Sequence, residues 1–273
     1  MTLGYALRDL GDYAGAAGAF EFGLGADGAD ESSLEACTAL LGLASVRIAQ
    51  GQHADAEALL NRAVELLEAT GQLQGLARAW LSLSVLSMAR GDLDKAGRLA
   101  QEAREIRERF NHPKETAPCC NQQGEVFRLQ GRLDEAEEAY MRALALFESI
   151  GSPWTFMPRV NLALVRMEQN RLGLAREGLE AAWVEVRSAG RAVIAEHIDT
   201  LLLPCYAAEG NWIAFDERMA RAAHFEEGKS LVDNDSVRCL ETAADFARAR
   251  GERERAEATD ALAGRHRDAM GGT

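Results

Sequence analysis

Along nearly the whole chain, apolar residues recur three and four positions apart, the spacing of one helix face, and the runs stop at regular intervals. The stops are Gly11, Gly51, Gly91, Gly131, Asn170, Gly210 and Gly251, a step of 39 to 41 residues. Glycine ends a helix by taking left-handed backbone, and asparagine tolerates that conformation nearly as well. The pattern predicts helix A, a tight turn, helix B and a polar linker, repeated about seven times. The repeats fall near 1–30, 31–71, 72–111, 112–151, 152–190, 191–230 and 231–270, one array over 1–270 with a disordered tail at 271–273.

Local signals place the helix ends. Ser32 with Glu35 has capping-box spacing before Leu34, Leu40, Leu41, Leu43 and Val46, and Leu59, Leu60, Val64 and Leu67 mark the following helix. Gly151-Ser152-Pro153 offers a capping serine and a first-turn proline to the fifth repeat. Asp233-Asn234-Asp235 resembles a calcium loop for three residues, lacks the glycine and final glutamate, and reads as a helix cap.

Three positions in the frame are small. Seven residues before the stop stand Gly4, Ala44, Ser84, Gly124, Ala163, Leu203 and Ala244; five after it stand Ala16, Ala56, Ala96, Ala136, Ala175, Phe215 and Ala256. The third set is Gly23, Ala63, Ala103, Ala143, Ala182, Ala222 and Ala263. Small side chains at facing positions let two antiparallel helices lie in near contact. The sixth repeat breaks two of the three and carries Pro204, so a kinked, differently packed pair is expected there.

Composition excludes some classes. Hydrophobic residues make up 47% of the 273, too many for a disordered chain, and no stretch approaches the ~18 uninterrupted apolar residues that read as a membrane span. The N-terminus lacks the basic and apolar blocks of a signal peptide, so a cytoplasmic location is the expectation. Five scattered cysteines, Cys37, Cys119, Cys120, Cys205 and Cys239, are an odd number and read as reduced and packed. A net charge of −13 argues against direct nucleic-acid binding. Eight of those charges arise in the first 75 residues, including Asp27, Asp30, Glu31, Asp55, Glu65 and Glu68, which is either a solvated outer face or a site for a basic partner.

The Leu3-Gly4, Leu43-Ala44, Leu83-Ser84 and Leu162-Ala163 pairs, the Gly-Asp turns at Gly11 and Gly91, the three small positions and Trp80 together resemble tetratricopeptide repeats. The likeness covers essentially the whole chain, clearest in repeats 2 to 4 and faintest in repeat 6. It implies an all-α, right-handed superhelical solenoid of about seven helix pairs. The period near 40 and linkers such as residues 69–75 resemble the long-repeat arms of bacterial signalling ATPases, maltose-activator-type regulators and large serine/threonine kinases. On that likeness the chain is expected to be the C-terminal part of a larger protein, with Met1 cutting through a repeat and residues 271–273 a true end.

In such arrays the A helices line the concave groove. The likeness places Leu41, Ser45, Ile48, Leu81, Val85, Met88, Asn121, Glu125, Arg128, Asn161, Leu164 and Met167 there, with Gly11, Gly51, Gly91, Gly131, Ala56, Ala96 and Ala136 as structural positions. Family members that clamp extended peptides carry asparagine before the Leu-Gly pair; only Asn161, and Gln122 by approximation, match. The apolar groove with Glu125 and Arg128 between suggests a helix or folded neighbour as ligand, while packing of Met88 and Met167 against adjacent A helices is the other reading.

Catalytic chemistry is not assembled by the sequence. His53, His112, His197, His224 and His266 have no metal spacing among themselves, and Glu196-His197 near Cys205 is the closest approach to one. Gly23 to Gly28 spells a phosphate loop but lies in a linker without a strand. The expectation is a non-catalytic interaction scaffold or sensor arm with no cofactor, no metal and no membrane contact, binding a protein or peptide. The alternative is an assembly element that self-associates through its incomplete first repeat.

Overall fold

The computed structural model describes residues 2–9, 12–25, 33–224 and 231–271. Gly11, Ser32 and the linker acids Asp27, Asp30 and Glu31 fall outside these. The described residues form α-helices joined by short turns, in two compact units, 1–146 and 147–273, that divide inside one helix.

The first unit holds α1 (Thr2–Asp9), α2 (Tyr13–Leu24), α3 (Leu34–Ala49), α4 (His53–Ala69), α5 (Leu73–Ala89), α6 (Leu93–Arg109), α7 (Pro113–Leu129) and most of α8 (Leu133–Ser149). Odd-numbered helices are the A helices of the repeat and even-numbered ones the B helices. From α2 to α7 each packs on its predecessor, and α1 touches α3, α3 touches α5 and α5 touches α7, so the A helices also lie side by side.

The turns are built as the pattern requires. Gly131 has φ 74° and Asn170 φ 60°, and Gly51, Gly91, Gly210 and Gly251 share the conformation. After α7, Arg132 N–H donates to the Phe127 carbonyl at 2.9 Å, the six-to-one bond of a glycine-terminated helix. Asn111, Gly71, Gly151 and Gly190 repeat the device between repeats.

The small positions are fully buried: Ala56, Ala96, Ala136, Ala63, Ala103 and Ala143 are all 0% exposed. Where α5 carries serine, Ser84 Oγ donates across the pair to the Ala96 carbonyl at 2.8 Å, leaving no unpaired hydroxyl. Gly124 on α7 lies under the Tyr140 ring of α8, so close that a Cβ there would sit 2.7 Å from two ring carbons.

Two local expectations shift. The cap of α3 is Ser33, whose Oγ accepts from Ala36 N–H at 3.1 Å, one residue beyond Ser32. Ser152-Pro153 opens a turn in which Ser152 Oγ accepts from Trp154 N–H, and the helix itself starts at Phe156.

The second unit holds α9 (Phe156–Glu168), α10 (Leu172–Ser188), α11 (Ala192–Glu209), α12 (Trp212–Ala222), α13 (Asn234–Ala249) and α14 (Arg253–Gly271). Gly271 is thus helical, and residues 272–273 lie outside the described residues. α11 packs against α10, α12 and α13. A helix enclosed on that many sides must be apolar all round, and Ile198, Leu201, Leu202 and Leu203 are 0% exposed. Each contributes about 1.5–3 kcal/mol of burial. α11 runs unbroken through Pro204. The sixth repeat also departs in its packing: α12 has only 11 residues, and α13 lies against α11.

Asp233 caps α13 as expected, accepting from Ser236 N–H at 2.7 Å in a reciprocal capping box.

Candidate functional site

The A helices of the first unit contribute most of the groove candidates. Ser45 and Ile48 on α3, Leu81, Val85 and Met88 on α5, and Asn121 and Glu125 on α7 are each half-buried, whereas Leu41 and Arg128 are buried at 4% and 7% exposure. Leu41 belongs to the core between α3 and α5 and leaves the accessible face. Ser45 Oγ donates to the Gly42 carbonyl at 2.7 Å. Ile48 rests on the same core, Leu81 packs near Ala77 and Cys119, and Gln122 Nε2 lies 3.2 Å from Met88 Sδ, linking α5 to α7. What remains accessible is a strip centred on Ile48, Val85 and Met88, with amides at its α7 edge.

Glu125 and Arg128 are placed otherwise than expected. The Arg128 guanidinium grips the Glu125 carboxylate at 2.8 and 3.3 Å, and Tyr140 O–H donates to the same carboxylate at 2.6 Å. Burial, then the Glu125 charge, raises the Tyr140 phenol far above its usual value, so it stays a donor. This trio ties α7 to α8 inside the repeat. The tyrosine ring fills the space left by Gly124, and its hydroxyl needs the acid beside it. Sequence spacing put Glu125 and Arg128 on the A-helix face but could not show a partner arriving from α8.

Sequence reasoning also missed a link at the start of this face. Tyr5 on α1 donates to the Thr38 carbonyl at 3.3 Å, and the Arg78 guanidinium of α5 lies 4.8 Å over its ring.

In the second unit, Asn161 and Met167 on α9 are half-buried and Leu164 is buried at 7% exposure. Leu164 and Met167 line a hollow of about 220 Å³ with Leu172, Pro204, Cys239 and Phe246. An Arg238–Glu168 ion pair at 2.7 Å belongs to residues of its wall. Pro204, Cys239 and Phe246 had no signal in the sequence, because only the seating of α13 on α11 brings them to α9.

Reactive groups are muted by burial. All five cysteines are free and buried. Burial pushes the Cys119 and Cys205 thiols up to about 12 and raises Cys37, Cys120 and Cys239 as well, so none supplies a thiolate at neutral pH. His197 lies 3.5 Å from the Asp233 carboxylate. His266 Nδ1 is 3.3 Å from Ser236 Oγ. Among the described residues, no group of three His, Cys, Asp or Glu could hold a metal ion. Of the phosphate-loop spelling at Gly23, residues 26–28 lie outside the described residues. No described helix is long and apolar enough to cross a membrane.

A charge cluster sits on α10 to α12. Asp199, its side chain 2% exposed, accepts from Arg218 at 2.7 Å and Arg221 at 3.1 Å. Arg218 stacks 4.3 Å over the Trp183 ring, and Tyr206 O–H donates to Glu180 at 2.6 Å. Its charged groups pair with one another, which makes it a clamp between helices, while the buried Trp183 indole N–H has no partner among the described residues.

No curated protein matches the chain. Among solved structures, the apo form of RapI superposes with a TM-score of 0.72 over 99% of this chain and 97% of that one, at 13% identity. A Rap protein complexed with competence and sporulation factor gives 0.73 at 14% identity, covering 97% of this chain and 72% of its own. A signal transduction ATPase with a tetratricopeptide repeat sensor from Pyrococcus horikoshii gives 0.72 at 15% identity over 96% of this chain but 40% of that one. At these identities the likeness is one of fold. The tetratricopeptide repeat family model matches residues 34–109 and 75–149, the stretch with the most regular turns and small positions. The all-α helix pairs, the left-handed turn residues and the family match agree, and the chain contains tetratricopeptide repeats over residues 34–149.

Proposed function

We propose that this protein is a non-catalytic interaction scaffold that binds a protein or peptide along the A-helix face of its first compact unit. The carrying observation is the strip of Ile48, Val85 and Met88, half-buried on adjacent A helices and bordered by Asn121 and Gln122. Apolar side chains at helical spacing beside amides suit an amphipathic helix or a short extended segment. The net charge of −13, with Asp55, Glu65 and Glu68 exposed on α4, favours a partner with a basic flank. The fold likeness to a Rap protein complexed with competence and sporulation factor and to a signal transduction ATPase with a tetratricopeptide repeat sensor supports a sensor role, which we place in a bacterial, cytoplasmic regulator.

A photo-crosslinking residue at Val85 is expected to capture a discrete partner in cells, and the same residue at the exposed Asn61 of α4 is not. Equal capture from both positions, or none from Val85, overturns the reading.

One observation favours a second reading, self-association through the first repeat. Phe22 on α2 is 81% exposed and Leu3 on α1 63%. Sedimentation velocity across concentrations separates the two: a dimer abolished by Phe22→Ser supports self-association, and a monomer throughout removes it.

A further inference from the structure

The repeat frame exposes one seam that is built differently from its neighbours. The sixth residue after each turn stop is, from the second repeat onward, Glu57, Gly97, Glu137, Arg176, Asp216 and Glu257, and Glu57 and Arg176 pair with the end of the next A helix. At the α4/α5 seam, Glu57 accepts from Arg90 at 2.6 Å and lies 3.9 Å from Lys95. At α10/α11, Arg176 pairs with Glu209 at 2.9 Å, the same two frame positions with their charges exchanged. α2/α3 is closed by Glu21–Arg47 at 3.2 Å. At α6/α7 the two positions hold Gly97 and Gln130, and a cleft of about 370 Å³ opens between the helices.

Nothing in the fold requires that glycine. Gly97 lies inside α6 without the left-handed backbone of the turn glycines, and a Cβ there would make one ordinary contact, 3.5 Å from Val126. Glycine is the costliest helix-interior residue after proline, so its presence where a Cβ fits is unexplained by packing. What it does is leave the cleft open.

The cleft walls carry unused polar capacity. Arg98 is exposed and makes no hydrogen bond or ion pair among the described residues. Gln123, 8% exposed, donates through Nε2 to Gln101 Oε1 at 2.5 Å, while its own carbonyl oxygen has no partner among the described residues. Val126 and Phe127 form the apolar floor, and Arg132 lies 4.4 Å over the Phe127 ring. Asp94, one turn before Arg98 on α6, is the single acid of the lining.

We propose that the α6/α7 cleft is a binding site for an acidic peptide, whose carboxylate side chain lies over Gly97 and pairs with Arg98. The peptide supplies in trans the acid that Glu57 supplies at the α4/α5 seam. A neighbouring apolar side chain covers Val126 and Phe127, and a backbone N–H of the peptide donates to Gln123 Oε1. Asp94 orients the segment by repelling its carboxylate toward Arg98. This site is separate from the A-helix strip of Ile48, Val85 and Met88, and either can fail without the other.

The test is a titration of the uniformly 15N-labelled full chain with acetyl-Leu-Glu-amide, following the Gly97 amide and the Gln101 and Gln123 side-chain amides. These resonances are expected to shift with half-saturation in the millimolar range. Acetyl-Leu-Gln-amide should bind at least about tenfold more weakly, the loss of one charge-assisted bond. Arg98→Ala is expected to remove the response with the melting profile unchanged. Gly97→Glu, which restores the acid in cis, is expected to remove it as well. An equal response to both peptides, shifts confined to Val85 and Met88, or no shift at all overturns the proposal.

Discussion

Replacing Gly124 with alanine isolates the contact that sets the spacing of α7 and α8. The new Cβ would stand 2.7 Å from Tyr140 Cδ1 and Cε1 and 2.9 Å from Cγ. Tyr140 is 0% exposed, so the ring has no open space to enter, and its hydroxyl is held 2.6 Å from Glu125. Two effects oppose each other. Alanine is better than glycine inside a helix by about 1 kcal/mol. Forcing a methyl into a packed core costs about 1–3 kcal/mol, and a ring that swings away also gives up a bond to a charged acceptor, about 1.5–3 kcal/mol. Packing wins, and the expected net loss is about 1–2 kcal/mol. Gly97→Ala is the internal control, because its Cβ meets only Val126 at 3.5 Å. There the helix term acts alone, and a gain of about 0.5–1 kcal/mol is expected. Urea unfolding followed by far-UV circular dichroism, with amide exchange on α7 to localise the effect, measures both. Tyr140→Leu should relieve Gly124→Ala, whereas Tyr140→Phe, which keeps the ring, should not. If Gly124→Ala stabilises the protein as much as Gly97→Ala does, the ring does not set the helix spacing and the argument fails.

Three further outcomes are expected. Ala136→Leu, at a position with 0% exposure facing α7, should cost about 1–3 kcal/mol in urea unfolding, and a neutral result would place the helix contact elsewhere. Asp199→Ala strands Arg218 and Arg221 without their buried acid and should cost about 3–5 kcal/mol, read from urea unfolding with amide exchange on α11; a shift below about 1 kcal/mol would show the cluster to be solvated. Burial, with His197 and Arg265 nearby, holds His266 below its ordinary value of 6.5, only partly offset by Asp233. The native state therefore binds fewer protons than the unfolded chain in the window just below 6.5. Its contribution to stability is complete above that value and is lost as pH falls through the native pKa. His266→Gln should flatten this part of the stability profile, and an unchanged slope would assign the pH dependence to other groups.

Much of the architecture is determined by the sequence alone, because it depends on contacts close along the chain. A helix end needs only a residue that accepts positive φ, so Gly51, Gly91, Gly131 and Asn170 mark their turns directly. The fit of A on B needs small residues about twelve apart, so Ser84 facing Ala96 could be anticipated from spacing. Asp233 was legible as a cap for the same reason: its partner, Ser236, is three residues away. Ser32 and Ser152 misled for different reasons: the adjacent Ser33 caps α3, whereas α9 starts after a turn at Phe156 and has no side-chain cap.

The site depended on contacts that spacing cannot supply. Periodicity assigns a residue to a helix face but does not say what arrives opposite, and Arg128 was drawn inward by Glu125 and by Tyr140 from the following helix. The hollow at Leu164 and Met167 exists because α13 seats on α11, which joins residues more than seventy apart. The cleft at Gly97 joins both levels. Its glycine is visible in the sequence as a break in a row of charged residues, but only the tertiary structure shows that the space it leaves stays open and that Arg98 and Gln123 border it. Local backbone preference and helical period are properties of neighbouring residues, whereas the pairing of charges and the filling of space belong to whichever side chains the folded helices bring together.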